Sequence, residues 1–162
     1  MEDFEQKAIA TFPHSDAILF WFRKADDTLI AIHKDHINAL FTHINSQHPD
    51  IKWTKEGEEN GKIHMLDVEI QHNPDGTLAF DVYRKPTHTN QYIHFQSHAP
   101  LQHKLATIRS LTRCAQIIPS TDQAKMNENR RINDALKLNG YPDWAIKQGT
   151  YIPKNPRTPP AT

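Results

Sequence analysis

The sequence predicts an α+β fold, with strands gathered in its first part and helices in its last. Three observations predict it. Lys24-Ala25-Asp26-Asp27 sits between the apolar runs 18–22 and 29–32, the pattern of a hairpin with a buried face. Between residues 51 and 82, apolar and polar residues alternate, broken by Asn60-Gly61 and by Asn73-Pro74-Asp75-Gly76. That is the period and turn chemistry of an antiparallel meander. After Pro100 the period changes, and Leu101, Leu105, Ile108, Leu111 and Ala115 recur at helical spacing.

Each element follows from its local pattern. Phe4, Ala8 and Ile9 predict a helix end over 2–11, broken by Pro13-His14-Ser15-Asp16. The Asp-Asp hairpin spans 18–32. Ile37, Leu40, Phe41 and Ile44 form one stripe of an amphipathic helix over 35–46, with Asp35 as its N-cap. Residues 51–56 alternate about Ile51 and Trp53, 63–70 read as the returning strand, and 78–82 as a third strand. Tyr83-Arg84-Lys85-Pro86-Thr87-His88-Thr89 leaves the sheet as a polar loop, and Tyr92-Ile93-His94-Phe95 reads as a short edge strand. The helix from Leu101 stops before Pro119, with Arg109 and Arg113 together on its other side. Ser120-Thr121-Asp122-Gln123 has capping-box spacing and starts a second helix through Leu138. Asn139-Gly140 stops it, and a third short helix covers 142–148. The Pro-rich tail from 151 to 162 is expected to be disordered. The predicted organisation is therefore 1–98, 99–150 and 151–162.

Composition bounds the function. A chain of 162 residues is one domain, or one with a small appendage. Its hydrophobic content of 37% allows only a modest core. A single cysteine, Cys114, excludes an intramolecular disulfide and a Cys-based zinc site. No apolar run approaches ~18 residues, so no membrane partner is expected. The opening Met1-Glu2-Asp3-Phe4-Glu5 reads as neither signal nor transit peptide. Net charge is zero, but it is unevenly placed. Residues 1–98 carry 9 Lys/Arg against 15 Asp/Glu, and residues 99–162 carry 10 against 4. An acidic part suited to cations is thus joined to a basic part suited to phosphates.

Five short segments, in order, carry a family resemblance. They are Trp21-Phe22-Arg23-Lys24-Ala25-Asp26-Asp27-Thr28, then Asn60-Gly61-Lys62-Ile63-His64-Met65-Leu66-Asp67-Val68, then Val82-Tyr83-Arg84-Lys85-Pro86-Thr87-His88-Thr89. Ser97-His98-Ala99-Pro100 with His103-Lys104, and Asn139-Gly140-Tyr141-Pro142, complete the set. Over roughly 1–148 the chain resembles the reverse transcriptases of Penelope-like retroelements. The resemblance implies a partial polymerase palm, made of the Asp-Asp hairpin, a helix and the β-meander, followed by an α-helical thumb with a helix-turn-helix-like region. The first segment resembles motif C, except that Lys24 stands where the family has an aromatic residue. The family's fingers and motifs A and B lie upstream of the part matched.

The resemblance implies RNA-directed DNA synthesis by two-metal nucleotidyl transfer. Its partners would be an RNA template, a DNA primer and, in the complete enzyme, a deoxynucleoside triphosphate. Asp26 and Asp27 would be the catalytic, Mg²⁺-binding carboxylates, since Mg²⁺ takes oxygen ligands and leaves room for phosphates. The metal site is expected to be incomplete and this chain by itself inactive. Arg84, Lys85, Thr87 and His88 would grip the nucleic-acid backbone, and Lys104, Arg109 and Arg113 would face the duplex from the first thumb helix. The alternative function is a non-catalytic nucleic-acid-binding module derived from such an element. Each residue also has a plainer reading: a solvated turn for the Asp pair, a polar loop for 84–88, and a solvated helix face for the three cations. The histidines at 94, 98 and 103, and at 33 and 36, lack a four-ligand zinc spacing.

Overall fold

The protein, seen in a computed structural model that describes residues 2–151, divides into two compact units at Leu66/Asp67. The boundary expected at 98/99 therefore falls inside the second unit. Of the expected tail, only Tyr151 lies among the described residues.

The first unit contains α1 (Glu2–Thr11), β1 (Ile18–Lys24), β2 (Asp27–Ile32), α2 (Ile37–Ser46) and β3 (Lys62–Met65). β1 and β2 pair antiparallel, with Lys24 opposite Asp27 and Trp21 opposite Ile30, and the register shifts between Ile18 and Phe20. Because strand side chains alternate, Trp21 and Arg23 share the inner face. Trp21, Ile30 and Ile32 pack on the core of Phe12, Leu40 and Ile44. Phe20 and Phe22 take the opposite face, stay half exposed, and stack with ring centroids 6.3 Å apart. Arg23 fastens the hairpin to α1 through Nε, which donates to Glu5 at 2.8 Å. His43 ties α2 to α1, with Nε2 3.0 Å from the Ala8 carbonyl and 3.1 Å from the Thr11 hydroxyl.

Three expectations for this unit are corrected. Asp35 is not the helix N-cap. A 3₁₀ turn occupies Lys34–His36, so α2 starts at Ile37 and His36 holds the cap position. Asp35 instead lies 3.4 Å from His33 Nδ1. Residues 51–56 form no strand. Asn45 takes the place of a partner strand there, because its Oδ1 accepts from Trp53 N at 2.8 Å and its Nδ2 donates to Trp53 O at 3.3 Å. The alternation was real, since Ile51 and Trp53 are half buried and Lys52 and Thr54 exposed, but it needed no sheet. The strand expected over 63–70 breaks at Leu66, whose φ of 54° is incompatible with a strand. The Asn60-Gly61 turn forms as expected, with both residues at positive φ and Glu59 bridged to Lys62.

The second unit contains β4 (Val68–His72), β5 (Leu78–Val82), α3 (Leu101–Ile117), α4 (Asp122–Leu138) and α5 (Asp143–Thr150). β4 and β5 pair antiparallel from Val68 opposite Val82 to His72 opposite Leu78. Gly76, at φ 84°, closes the turn between them, and Asp75 accepts from Thr77 N at 2.9 Å. The helices share one core, in which Leu105, Ile108 and Ala115 of α3 meet Ile132 and Leu136 of α4, with Tyr141, Ala145 and Ile146. Ile108 and Leu136 are fully buried, each contributing about 1.5–3 kcal/mol of transfer free energy.

Two further expectations are corrected here. Thr121, not Ser120, caps α4, its side chain accepting from Ala124 N at 3.2 Å. Ser120 is occupied with β5: its N–H donates to Phe80 O at 2.9 Å, and its hydroxyl accepts from Phe80 N at 3.0 Å. Residues 92–95 form no edge strand. They run extended against the end of α4, where Phe95 N donates to Asn139 O at 2.9 Å.

Gly149 shows how closely α5 meets α3. A Cβ built there would lie 2.6 Å from Ile108 Cβ, whereas one at Gly57 meets nothing within 4 Å. The clash should outweigh the better helix propensity of alanine. Gly149→Ala is expected to destabilise the protein by about 1–2 kcal/mol, and Gly57→Ala to stay within about 0.5 kcal/mol. Urea unfolding of both variants measures the contrast.

Candidate nucleic-acid interface

The two carboxylates of the hairpin lie at its tip. With Lys24 opposite Asp27, the turn has only two residues, Ala25 and Asp26, and Ala25 takes φ 53°. That conformation is costly for a residue with a Cβ and suits Gly or Asn better. Asp26 and Asp27 are both exposed, one in the turn and one at the start of β2. Lys24 is the cross-strand neighbour of Asp27. Among the described residues no group of three or more His, Cys, Asp or Glu side chains is gathered as a metal site requires. A pair of Mg²⁺ ions needs more oxygen ligands than two adjacent carboxylates offer. The donor set of the hairpin alone therefore does not fit two ions.

The segment from Arg84 to Ser97, expected as a loose polar loop, is a strap fixed along the helices. Arg84 forms a bidentate pair with Glu128 of α4, with Nη1 2.8 Å from Oε2 and Nη2 bonded to Oε1. The two side chains are 11% and 7% exposed. The hydrogen bonds that Arg84 donates to Glu128, more than the charge of that carboxylate, raise the pKa of the guanidinium further. Arg84 is thus committed to α4 and is not available to grip a phosphate. Lys85, Thr87 and His88 remain exposed, and His88 Nε2 lies 3.3 Å from the Tyr92 hydroxyl.

Further along, the strap ends on the turn after α4. Asn139 Oδ1 accepts from Tyr92 N at 3.0 Å, and its Nδ2 donates to Asn90 O at 2.8 Å and Ala135 O at 2.7 Å. Tyr141 donates its hydroxyl to Ile93 O at 2.8 Å. Gly140, at φ 77°, leaves room for the His94 ring, which a Cβ would approach to 3.0 Å. Phe95 completes the seat against Tyr141 and Trp144, with centroids 5.3 and 5.8 Å away.

The three cations expected on α3 separate. Lys104 is only 8% exposed, donates to Ser97 O at 2.7 Å, and sits 5.3 Å above the Phe95 ring. It anchors the strap, and its expected role at a duplex is corrected accordingly. Arg109 and Arg113 are exposed, and their i,i+4 spacing puts them on one face. On α4, Arg130 and Arg131 are also exposed. With Asn90, Asn127, Asp134, Ala135 and Leu138 they line an open cleft of about 390 Å³. The Arg130-Arg131 doublet, with Asn127 and Asp134 at helical spacing, was the available signal for it. The strap residue Asn90 could not be placed there from sequence.

The family model of the animal helix-turn-helix domain matches residues 91–150, which span the strap from Gln91 and all three helices. The match supports the helix-turn-helix expected over 99–150, and α4, the turn at 139–142 and α5 follow one another within it. No curated protein and no solved structure matches the chain.

Two expectations follow from the strap. Arg84→Ala leaves Glu128 buried and unpaired, and should cost about 3 kcal/mol of stability, while Lys85→Ala changes it by no more than about 0.5 kcal/mol. Chemical unfolding reads both. Burial raises the Tyr141 phenol above its usual 10.0. The folded protein then holds the phenolic proton more tightly than the unfolded chain. The contribution of Tyr141 is complete below pH 10.0 and is lost as pH rises through the raised value. Ultraviolet titration should find a late-ionising tyrosine, and Tyr141→Phe should remove it together with that part of the alkaline loss of stability.

Proposed function

We propose that this chain is a nucleic-acid-binding piece of a reverse-transcriptase lineage, with its helical unit as the binding part. The observation that supports it is the helix-turn-helix match over three helices, the first two of which carry exposed arginines at 109, 113, 130 and 131 that are unpaired among the described residues. Such side chains contact phosphate oxygens and position a duplex without reading its sequence. In helix-turn-helix proteins the second helix of the motif enters the major groove. Here that helix is α5, whose exposed side chains include Trp144, Lys147 and Gln148. The reading makes an RNA–DNA duplex the preferred partner, as the resemblance to Penelope-like elements implies.

A second reading keeps the catalytic descent, and the placement of Asp26 and Asp27 at a tight hairpin tip favours it. On that reading the hairpin is a motif C that would hold Mg²⁺ once further carboxylates are supplied. Asp26 and Asp27 would hold the metal there, and the chemistry it would supply is that of nucleotidyl transfer.

Binding of the full chain to an RNA–DNA duplex, followed by fluorescence anisotropy across a salt series, tests the main reading. Affinity should fall linearly on a log–log plot as counterions are released. The Arg109→Ala/Arg113→Ala variant should flatten the slope by about two units if both residues meet phosphate. An unchanged slope and affinity would remove α3 from the interface.

A further inference from the structure

The cleft on α4 has a chemistry that a bare phosphate does not explain. Arg130 and Arg131 supply two cations, and neither has a hydrogen-bond or ion-pair partner among the described residues. Asp134 stands four residues after Arg130, a spacing that ordinarily favours pairing on a helix, yet it too has no such partner there. The opposite wall is Asn90, held at φ 56°, a backbone conformation that an asparagine tolerates. Its Oδ1 is buried with no hydrogen-bond partner. The backbone of Asn90 is fixed by Asn139, which donates to its carbonyl at 2.8 Å, so the side chain is presented from a rigid support. Asn127 has its Oδ1 occupied by Gln123 at 3.0 Å, which leaves its Nδ2 as a donor.

The cleft thus combines unpaired cations with the unpaired carboxylate of Asp134, and Asn90 of its lining holds a buried oxygen without a donor. Asp134 would repel a ligand that offered only negative oxygens. A buried carboxamide oxygen without a donor is a standing cost that a ligand O–H would relieve, and the terminal torsion of an asparagine is soft enough to turn toward one. The complementary ligand therefore carries both an anion and a hydroxyl donor.

We propose that this cleft seats a ribonucleotide unit of an RNA strand. Arg130 and Arg131 hold the phosphate, and Asp134 and Asn90 Oδ1 accept from the ribose 2′-hydroxyl. That hydroxyl distinguishes RNA from DNA at a protein surface. The inference rests on the nucleic-acid-binding reading above and assigns the residues by which the strand type is told.

The test uses the full chain and two labelled duplexes of one sequence, RNA–DNA and DNA–DNA, read by fluorescence anisotropy. The wild type should prefer the RNA-containing duplex by about three- to tenfold, the range of one or two hydrogen bonds. Asp134→Ala and Asn90→Gly should each bring that ratio toward one while DNA–DNA binding is kept or improved. Glycine accepts the positive φ at position 90 without strain, so the fold is preserved. Arg130→Ala/Arg131→Ala should weaken both duplexes alike. A wild-type ratio of one, or a ratio that neither Asp134→Ala nor Asn90→Gly alters, overturns the ribose assignment and leaves the binding reading standing. Failure to bind either duplex overturns both. Competition with free adenosine monophosphate separates a strand from a loose nucleotide, because displacement at micromolar concentration would show that the cleft serves the small molecule and overturn the strand assignment.

Discussion

The second unit depends on Asn139. Every polar atom of this residue is in use: its amide nitrogen closes the last turn of α4, its carbonyl takes Phe95, and its carboxamide joins Tyr92, Asn90 and Ala135. It is 8% exposed, and buried backbone groups must find partners. One residue, helped by the Tyr141 hydroxyl, therefore does the pairing that a strand would otherwise do for the segment 90–95. Gly140 then turns the chain at positive φ, and Tyr141 fills the core while its hydroxyl stays satisfied by Ile93. Helix end, turn and strap form one polar lock around an apolar centre.

The strap also sorts the positive charge. Arg84 and Lys104 sit at its two ends and are both turned inward, one to a carboxylate and one to a carbonyl and an aromatic face. Arg109, Arg113, Arg130 and Arg131 of α3 and α4 remain outside, with lysines such as Lys85, Lys137 and Lys147. Cations that look alike in the sequence become structural at some positions and available at others. The difference is decided by burial, which a residue count does not contain.

Much of the fold was legible because its signals are local. The helices at 101, 122 and 143, the Asp-Asp hairpin and the Asn60-Gly61 turn follow from periodicity and turn chemistry, and they form where those signals lie. The misreadings share a cause. Residues 51–56 and 92–95 carry strand-like alternation, but Asn45 and Asn139 supply their hydrogen bonds from distant side chains. Leu66 breaks the strand expected over 63–70 by adopting a conformation its side chain disfavours, and nothing in the local pattern marks it. For the site, Arg109 and Arg113 could be read from helical spacing. Arg84 and Lys104 could not, because their partners Glu128 and Ser97 become neighbours only in the folded chain.

The Arg84–Glu128 pair joins positions 44 residues apart, and the bonds from Asn139 reach back across 47 and 49. The core of α3, α4 and α5 closes over similar lengths, since Gly149 of α5 meets Ile108 of α3, 41 residues away, and only the turns of each helix are local. Local contacts form early and long loops close late, since chain entropy must be given up before a distant contact can reward it. Each helix can therefore form before any of these long contacts closes, and the angle of the final turn is fixed only once the strap has docked. In hydrogen exchange the amides of Tyr92 and Phe95 would open as one group with the end of α4, at lower free energy than the centre of α3. The element that sets the geometry of the helix-turn-helix is then also the first to let go of it.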